Sequence, residues 1–139
     1  MDLGARESNM HEYSTGAVRE DKTGKGRMDL LPMCALIRLS KHFEKGSKDH
    51  GERNWENGLP MHSFLDSALR HIAKYLDGST DEDHLCAAAW NILCAMWTEE
   101  KKPEMQDIPT RFKLIDCGNG SFIKEPITYD DVHDIVCDD

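Results

Sequence analysis

Hydrophobic positions in this chain fall into three helical stretches, flanked by two segments that lack their rhythm. Over 28–50, Leu31, Cys34, Ala35, Ile37, Leu39, His42 and Phe43 make an apolar stripe that predicts a first helix, with Pro32 in its first turn. Over 61–77, Phe64, Leu65, Ala68, Leu69, Ile72, Ala73 and Leu76 predict a second helix with a broad apolar face. Over 81–100, apolar residues surround most of the circumference, from Leu85 and Cys86 to Cys94 and Trp97. Such a helix is central, or a second subunit covers it. Thr80 is placed to cap it, with Asp83 completing a capping box.

The remaining segments divide the chain. Residues 1–27 are polar and glycine-rich and predict a flexible N-terminal arm. Residues 28–100 form the helical catalytic domain, interrupted at 51–60 by the loop GERNWENGLP, where Asn57-Gly58 signals a turn. Residues 101–139 form a covering or interface segment. Pro103, Pro109 and Pro126 break the helical rhythm, RFKLI and SFIKE flank CGNG as a short hairpin, and Tyr129 to Val136 allow a last helical turn or two. The acidic terminus is expected to be exposed. The expected fold class is all-α, a helical bundle completed by oligomerisation with a less regular C-terminal segment.

Composition narrows the functions. A formal net charge of −9 argues against a nucleic-acid groove, which needs clustered Lys and Arg. No apolar run approaches the length of about 18 residues that suggests a membrane span, and MDLGARES lacks the features of a secretory signal. The five cysteines show no zinc-like pairing. Cys34, Cys86 and Cys94 sit inside apolar helical patterns as small hydrophobes, so a reduced, cytoplasmic setting is expected.

Candidate chemistry centres on three carboxylates, Glu44, Asp66 and Asp83, at or near helix ends. Each has a plain alternative. Glu44 and Lys48, or Asp66 and Arg70, are ordinary surface pairs at i, i+4 spacing, and Asp83 is explained by capping. In the functional alternative the acids hold a cation, while Lys48, Arg70 or His71 face phosphate. Lys25 and Arg27 could approach the same phosphate or merely offset neighbouring acids. Trp55 could stack on a base or cap the core, and Asn54 could bond a base or backbone. His84 and Asn91 share a stripe with Ala88 and Ala95 on a packed seam. There is no glycine-rich P-loop, CxxC pair or HExxH helix.

The ordered blocks KGRMDLLP, HFEKGSKDHGERNWENGLP, DSALRH and DEDHLCAAAWNILCAMWTE, spread over residues 14–100, resemble the small phage and bacterial dATP/dGTP diphosphohydrolases. These are relatives of the MazG-like all-α nucleoside triphosphate pyrophosphohydrolases. The resemblance implies a helical homodimer or homotetramer that uses Mg2+ or Mn2+. Its reaction would convert a purine deoxynucleoside triphosphate, dGTP or dATP, to the monophosphate and pyrophosphate. A phage-encoded member would work in the cytoplasm of its bacterial host. Glu44, Asp66 and Asp83 match its acidic positions and are the expected metal ligands. Glu44, Lys48, Asp66, Arg70 and His71 are the expected catalytic residues. Asn54, Trp55, His84, Asn91, Lys25 and Arg27 are expected to bind substrate. One departure stands out: where the wider group carries ExxD, this chain has HLCA at 84–87, with no carboxylate at either end. Two alternatives stay open, a catalytically silent helical binding module and a metallohydrolase that releases triphosphate from dNTPs.

Overall fold

The computed structural model describes residues 9–136. Of the flexible arm expected for residues 1–27, residues 1–8 lie outside the described residues, as do residues 137–139 of the terminus expected to be exposed. The chain divides into two compact units at residues 33 and 34.

The first unit is built on a hairpin. Strand β1 (Met10–Glu12) pairs antiparallel with β2 (Val18–Glu20), Met10 opposite Glu20. Tyr13 N–H donates to Ala17 O at 2.8 Å and closes the connection. All six strand residues are exposed, so no buried face imposes the alternation by which strands are recognised in sequence. A single 3-10 turn, Met28–Leu30, follows.

In the second unit, α1 (Met33–His50), α2 (Met61–Leu76) and α3 (His84–Lys101) come first. Antiparallel strands β3 (Phe112–Asp116) and β4 (Phe122–Pro126) and a last helix α4 (Tyr129–Val136) follow. The architecture is therefore mostly helical but not all-α: two two-stranded sheets accompany the helices. The β3–β4 hairpin and α4 occupy the stretches the C-terminal sequence predicts. Pro32 precedes α1 rather than lying in its first turn.

Helices α2 and α3 carry the main packing. Met61 and Phe64, early in α2, join Cys94 and Ala95, late in α3, in the buried core, whereas His71 meets His84 at the start of α3. The two helices therefore run antiparallel. Ala87 and Ala88 of α3 are buried and small enough to permit close helix approach. Asn91 and Thr98 are buried there too, but each bonds a carbonyl one turn back, Asn91 Nδ2 donating to Ala87 O at 2.8 Å and Thr98 Oγ1 to Cys94 O at 2.7 Å. This removes the penalty for unpaired buried polar groups.

Helix α1 attaches more lightly. It buries no residue fully and adds Phe43, which packs on Trp90 and, edge to face, on Trp55. Cys34, expected as a small buried hydrophobe, is exposed, while Cys86 and Cys94 are buried. The loop 51–60 holds a short 3-10 helix, Asn54–Asn57, that sets Trp55 edge-on against Trp97 at 5.0 Å. Gly58 ends it at φ +98°, a left-handed conformation that favours glycine, and a Cβ there would also crowd Met105 Sδ at 3.2 Å. No helix among the described residues is long and apolar enough to cross a membrane.

Candidate metal centre

The turn between α2 and α3 brings two histidines together. Gly78, at φ +80°, lets the chain reverse immediately after α2, and Asp83 starts α3 as its N-cap, accepting from Cys86 N–H at 3.2 Å. Thr80 is not the cap, because the helix begins three residues later than the sequence pattern suggests. His84 is thus the first residue of α3 and lies beside His71 in the last third of α2.

Nδ1 of His71 and Nδ1 of His84 are 3.0 Å apart. Glu82 Oε1 lies 3.7 Å from His71 Nδ1. Among the described residues, His71, Glu82 and His84 are the group whose ligand atoms all fall within 4.8 Å of one another. His84 is buried, and its Nε2 faces Asp81 Oδ1 at 2.7 Å. Because a carboxylate only accepts, Nε2 carries a proton, and in the neutral ring Nδ1 keeps its lone pair. Asp81 is itself held by Ser79 Oγ, which donates to the same oxygen at 2.6 Å. The bonds from Ser79 and His84 draw the Asp81 carboxyl down to about 2. Burial pushes His71 below its ordinary value despite the opposing pull of Glu82, which favours the neutral, ligating imidazole.

This donor set fits a divalent cation. Two imidazole nitrogens bound at about 2.1 Å and at right angles would lie about 3.0 Å apart. A carboxylate holding the far nitrogen of a ligating histidine is a common outer support of metal sites.

The acids singled out in the sequence are engaged elsewhere. Glu44 pairs with Lys48 at 3.6 Å on the exposed side of α1, and Asp66 pairs with Arg70 on α2. Asp83 receives two bonds from Arg38, at 2.6 and 2.7 Å, which hold its carboxyl well below the usual carboxylate range. These three do not come together as a ligand group. Lys25 and Arg27 make local pairs, with Glu20 and Asp29. Of the expected residues, His71 and His84 meet; Glu82 and Asp81 are additions that sequence reasoning missed. The available signal was the run Asp81-Glu82-Asp83-His84, which places acids directly before a histidine that faces the earlier helix.

Two recesses lie along α1. One, about 460 Å³, is bordered by Phe43, Glu44, His50, Asn54, Trp55 and Trp90 and so gathers three of the sequence candidates. The other, about 310 Å³, lies between Arg38, Lys41, His42 and Lys45 of α1 and the acids at 81–83.

Fold and site together define a mainly helical protein whose candidate centre is a two-histidine, one-carboxylate cluster. A family profile described as "dATP/dGTP diphosphohydrolase, N-terminal" matches residues 15–108. The chain belongs to that family. Comparison with curated proteins gives no match, and comparison with solved structures gives none. Family and cluster support a metal-dependent hydrolase in general terms.

Proposed function

We propose that this protein hydrolyses a purine deoxynucleoside triphosphate, dGTP or dATP, to the monophosphate and pyrophosphate, using a divalent cation held by His71, Glu82 and His84. The observation that carries the reading is the 3.0 Å approach of the two Nδ1 atoms beside Glu82, in a chain of this family. The bound cation would neutralise phosphate charge and lower the pKa of a coordinated water. Two imidazoles favour Mn2+ over Mg2+, since nitrogen donors suit the transition metals and Mg2+ prefers oxygen. Asp81 orients His84. Asn54, Trp55 and Glu44 border the recess suited to a base, with Trp55 and Trp90 as aromatic walls. In the reaction, water adds to the α-phosphorus, the α–β anhydride bond breaks, and pyrophosphate leaves. The working form is a homodimer or homotetramer, which covers apolar residues that a single chain leaves exposed.

Purified protein is incubated with each dNTP and Mn2+ or Mg2+, and the products are separated by ion-exchange chromatography. Release of dNMP and pyrophosphate, abolished in His84→Ala, is the expected result. Products of dNDP and phosphate, or of deoxynucleoside and triphosphate, would overturn it, as would no turnover of any nucleotide.

A further inference from the structure

We infer that Lys41 and Lys45 form a polyphosphate-binding wall in the groove beside the His71–Glu82–His84 cluster; the inference rests on that cluster holding a cation. Arg38, Lys41 and Lys45 recur at three- and four-residue spacing on α1 and therefore share one helix face. All three line the groove of about 310 Å³ whose opposite wall is Asp81, Glu82 and Asp83. Glu82 belongs both to this groove and to the candidate centre, so the two adjoin.

The three cations are not equivalent. Arg38 is committed to Asp83 by two short hydrogen bonds. Lys41 and Lys45 make no ion pair with any described residue. Both are exposed and line the same recess one helical turn apart, where one anion can lie within reach of both.

Charge balance names the anion. Without metal, three cations face three carboxylates and the groove is formally neutral. A divalent ion on the cluster makes it positive, and a metal-bound polyphosphate then meets ammonium donors on the far wall. Lysine suits this task as a compact point charge that follows a flexible phosphate chain. Neither lysine was among the residues the sequence singled out, because an isolated pair of lysines on an amphipathic helix looks like ordinary solvated surface.

The test uses the full chain saturated with Mn2+, titrated calorimetrically with the preformed Mn2+–inorganic triphosphate complex. A separate titration with Mn2+ alone measures the metal site. The Lys41→Gln/Lys45→Gln variant should bind the complex at least ~10-fold more weakly than the wild type, with Mn2+ affinity within about twofold. The Lys41→Arg/Lys45→Arg variant keeps the charge and should stay near the wild type. Equal triphosphate affinity in the wild type and the Gln variant, with Mn2+ still bound, overturns the inference and leaves the proposed metal centre standing. A wild type that binds no Mn2+ overturns both. Melting curves of the variants exclude unfolding as the cause of weakened binding.

Discussion

His71 and His84 face each other through their Nδ1 atoms, 3.0 Å apart, although thirteen residues and a helix reversal separate them. With both rings neutral, the bond from His84 Nε2 to Asp81 leaves His84 Nδ1 as the acceptor, and His71 Nδ1–H is the donor between the rings. A cation bound by both Nδ1 atoms requires that His71 move its proton to Nε2 and that the two lone pairs turn from each other toward the ion. The expected consequence is graded. His71→Gln or His84→Gln should weaken Mn2+ binding by 100-fold or more, roughly the loss of a ligand, and Asp81→Asn by about tenfold, the lower end for an outer support. Calorimetry reads both, and the absorption of bound Co2+ reports whether nitrogen ligands remain. Equal affinity in all four proteins would remove the cluster from consideration.

The same pair predicts a pH dependence. His71 has a native pKa below its ordinary value of 6.5, because burial disfavours its charged form. Above that ordinary value both native and unfolded chains hold it neutral, and its contribution to stability is complete. As pH falls further, the unfolded chain takes up the proton first, so stability is lost progressively toward the native pKa. Between pH of about 7.5 and 5.5 the metal-free wild type should therefore lose melting temperature more steeply than His71→Gln. Proton competition should weaken Mn2+ binding over the same window. Parallel melting curves for the two proteins across this range would contradict the assignment of the shift to His71.

Asp83 joins two tasks, of which the sequence pointed only to the cap. Its carboxylate caps α3 through Cys86 N–H and also receives the Arg38 guanidinium, tying α1 to the start of α3. Asp83→Asn keeps the cap and loses most of the charge attraction, whereas Asp83→Ala loses both. The alanine variant should be destabilised by about 1 to 2 kcal/mol, mostly from the cap. The asparagine variant should lose less than about 1 kcal/mol, because the ion pair is substantially exposed and screened. Arg38→Gln should resemble the asparagine variant. Urea denaturation orders the three, and an asparagine variant as unstable as the alanine one would show that the ion pair, not the cap, dominates. This stability is lost progressively as pH falls from the usual carboxylate range, where the unfolded chain first takes up the proton, down to the depressed native pKa of Asp83.

These relationships show where the sequence was informative. Helices α2 and α3 were legible because Phe64, Ala68, Cys94 and Ala95 repeat at helical spacing and all end up buried. The β3–β4 hairpin was legible from turn chemistry, with Gly118 at φ +79° and Gly120 at φ +81° in its loop. The β1–β2 hairpin was not, since three-residue strands with every side chain exposed leave no pattern. In the site, His71 and His84 were each singled out, but for different duties. Their meeting depends on the antiparallel register of α2 against α3, which Phe64, Trp90 and Ala95 settle by packing and no local pattern encodes. Glu44, Asp66 and Asp83 matched expected acidic positions, and in the structure each pairs with a cation, Lys48, Arg70 and Arg38 respectively.

Assembly is the remaining expectation, and α2 and α3 carry it. Leu69, Ile72 and Leu76 repeat along the outer side of α2, with Leu69 67% and Leu76 79% exposed. Leu85, Ile92, Leu93 and Met96 repeat along α3 at the same kind of spacing, and Met96 is 63% exposed. Single exposed leucines are ordinary, but a stripe of exposed apolar residues on each of two packed helices is the kind of surface that marks an interface. A closed dimer would use the same patch on both copies. Sedimentation velocity at micromolar concentration should therefore give a multiple of the single-chain mass. Leu69→Glu or Leu93→Glu should shift it to one chain. Each residue is already exposed in the isolated chain, so the substitution itself should change intrinsic stability by only about 0.5 kcal/mol. Any larger fall in melting temperature would be the loss of assembly, recognisable because wild-type melting rises with protein concentration and that of the variants does not. A wild type that sediments as one chain, with melting independent of concentration, would mean that these stripes are covered by something other than a second copy.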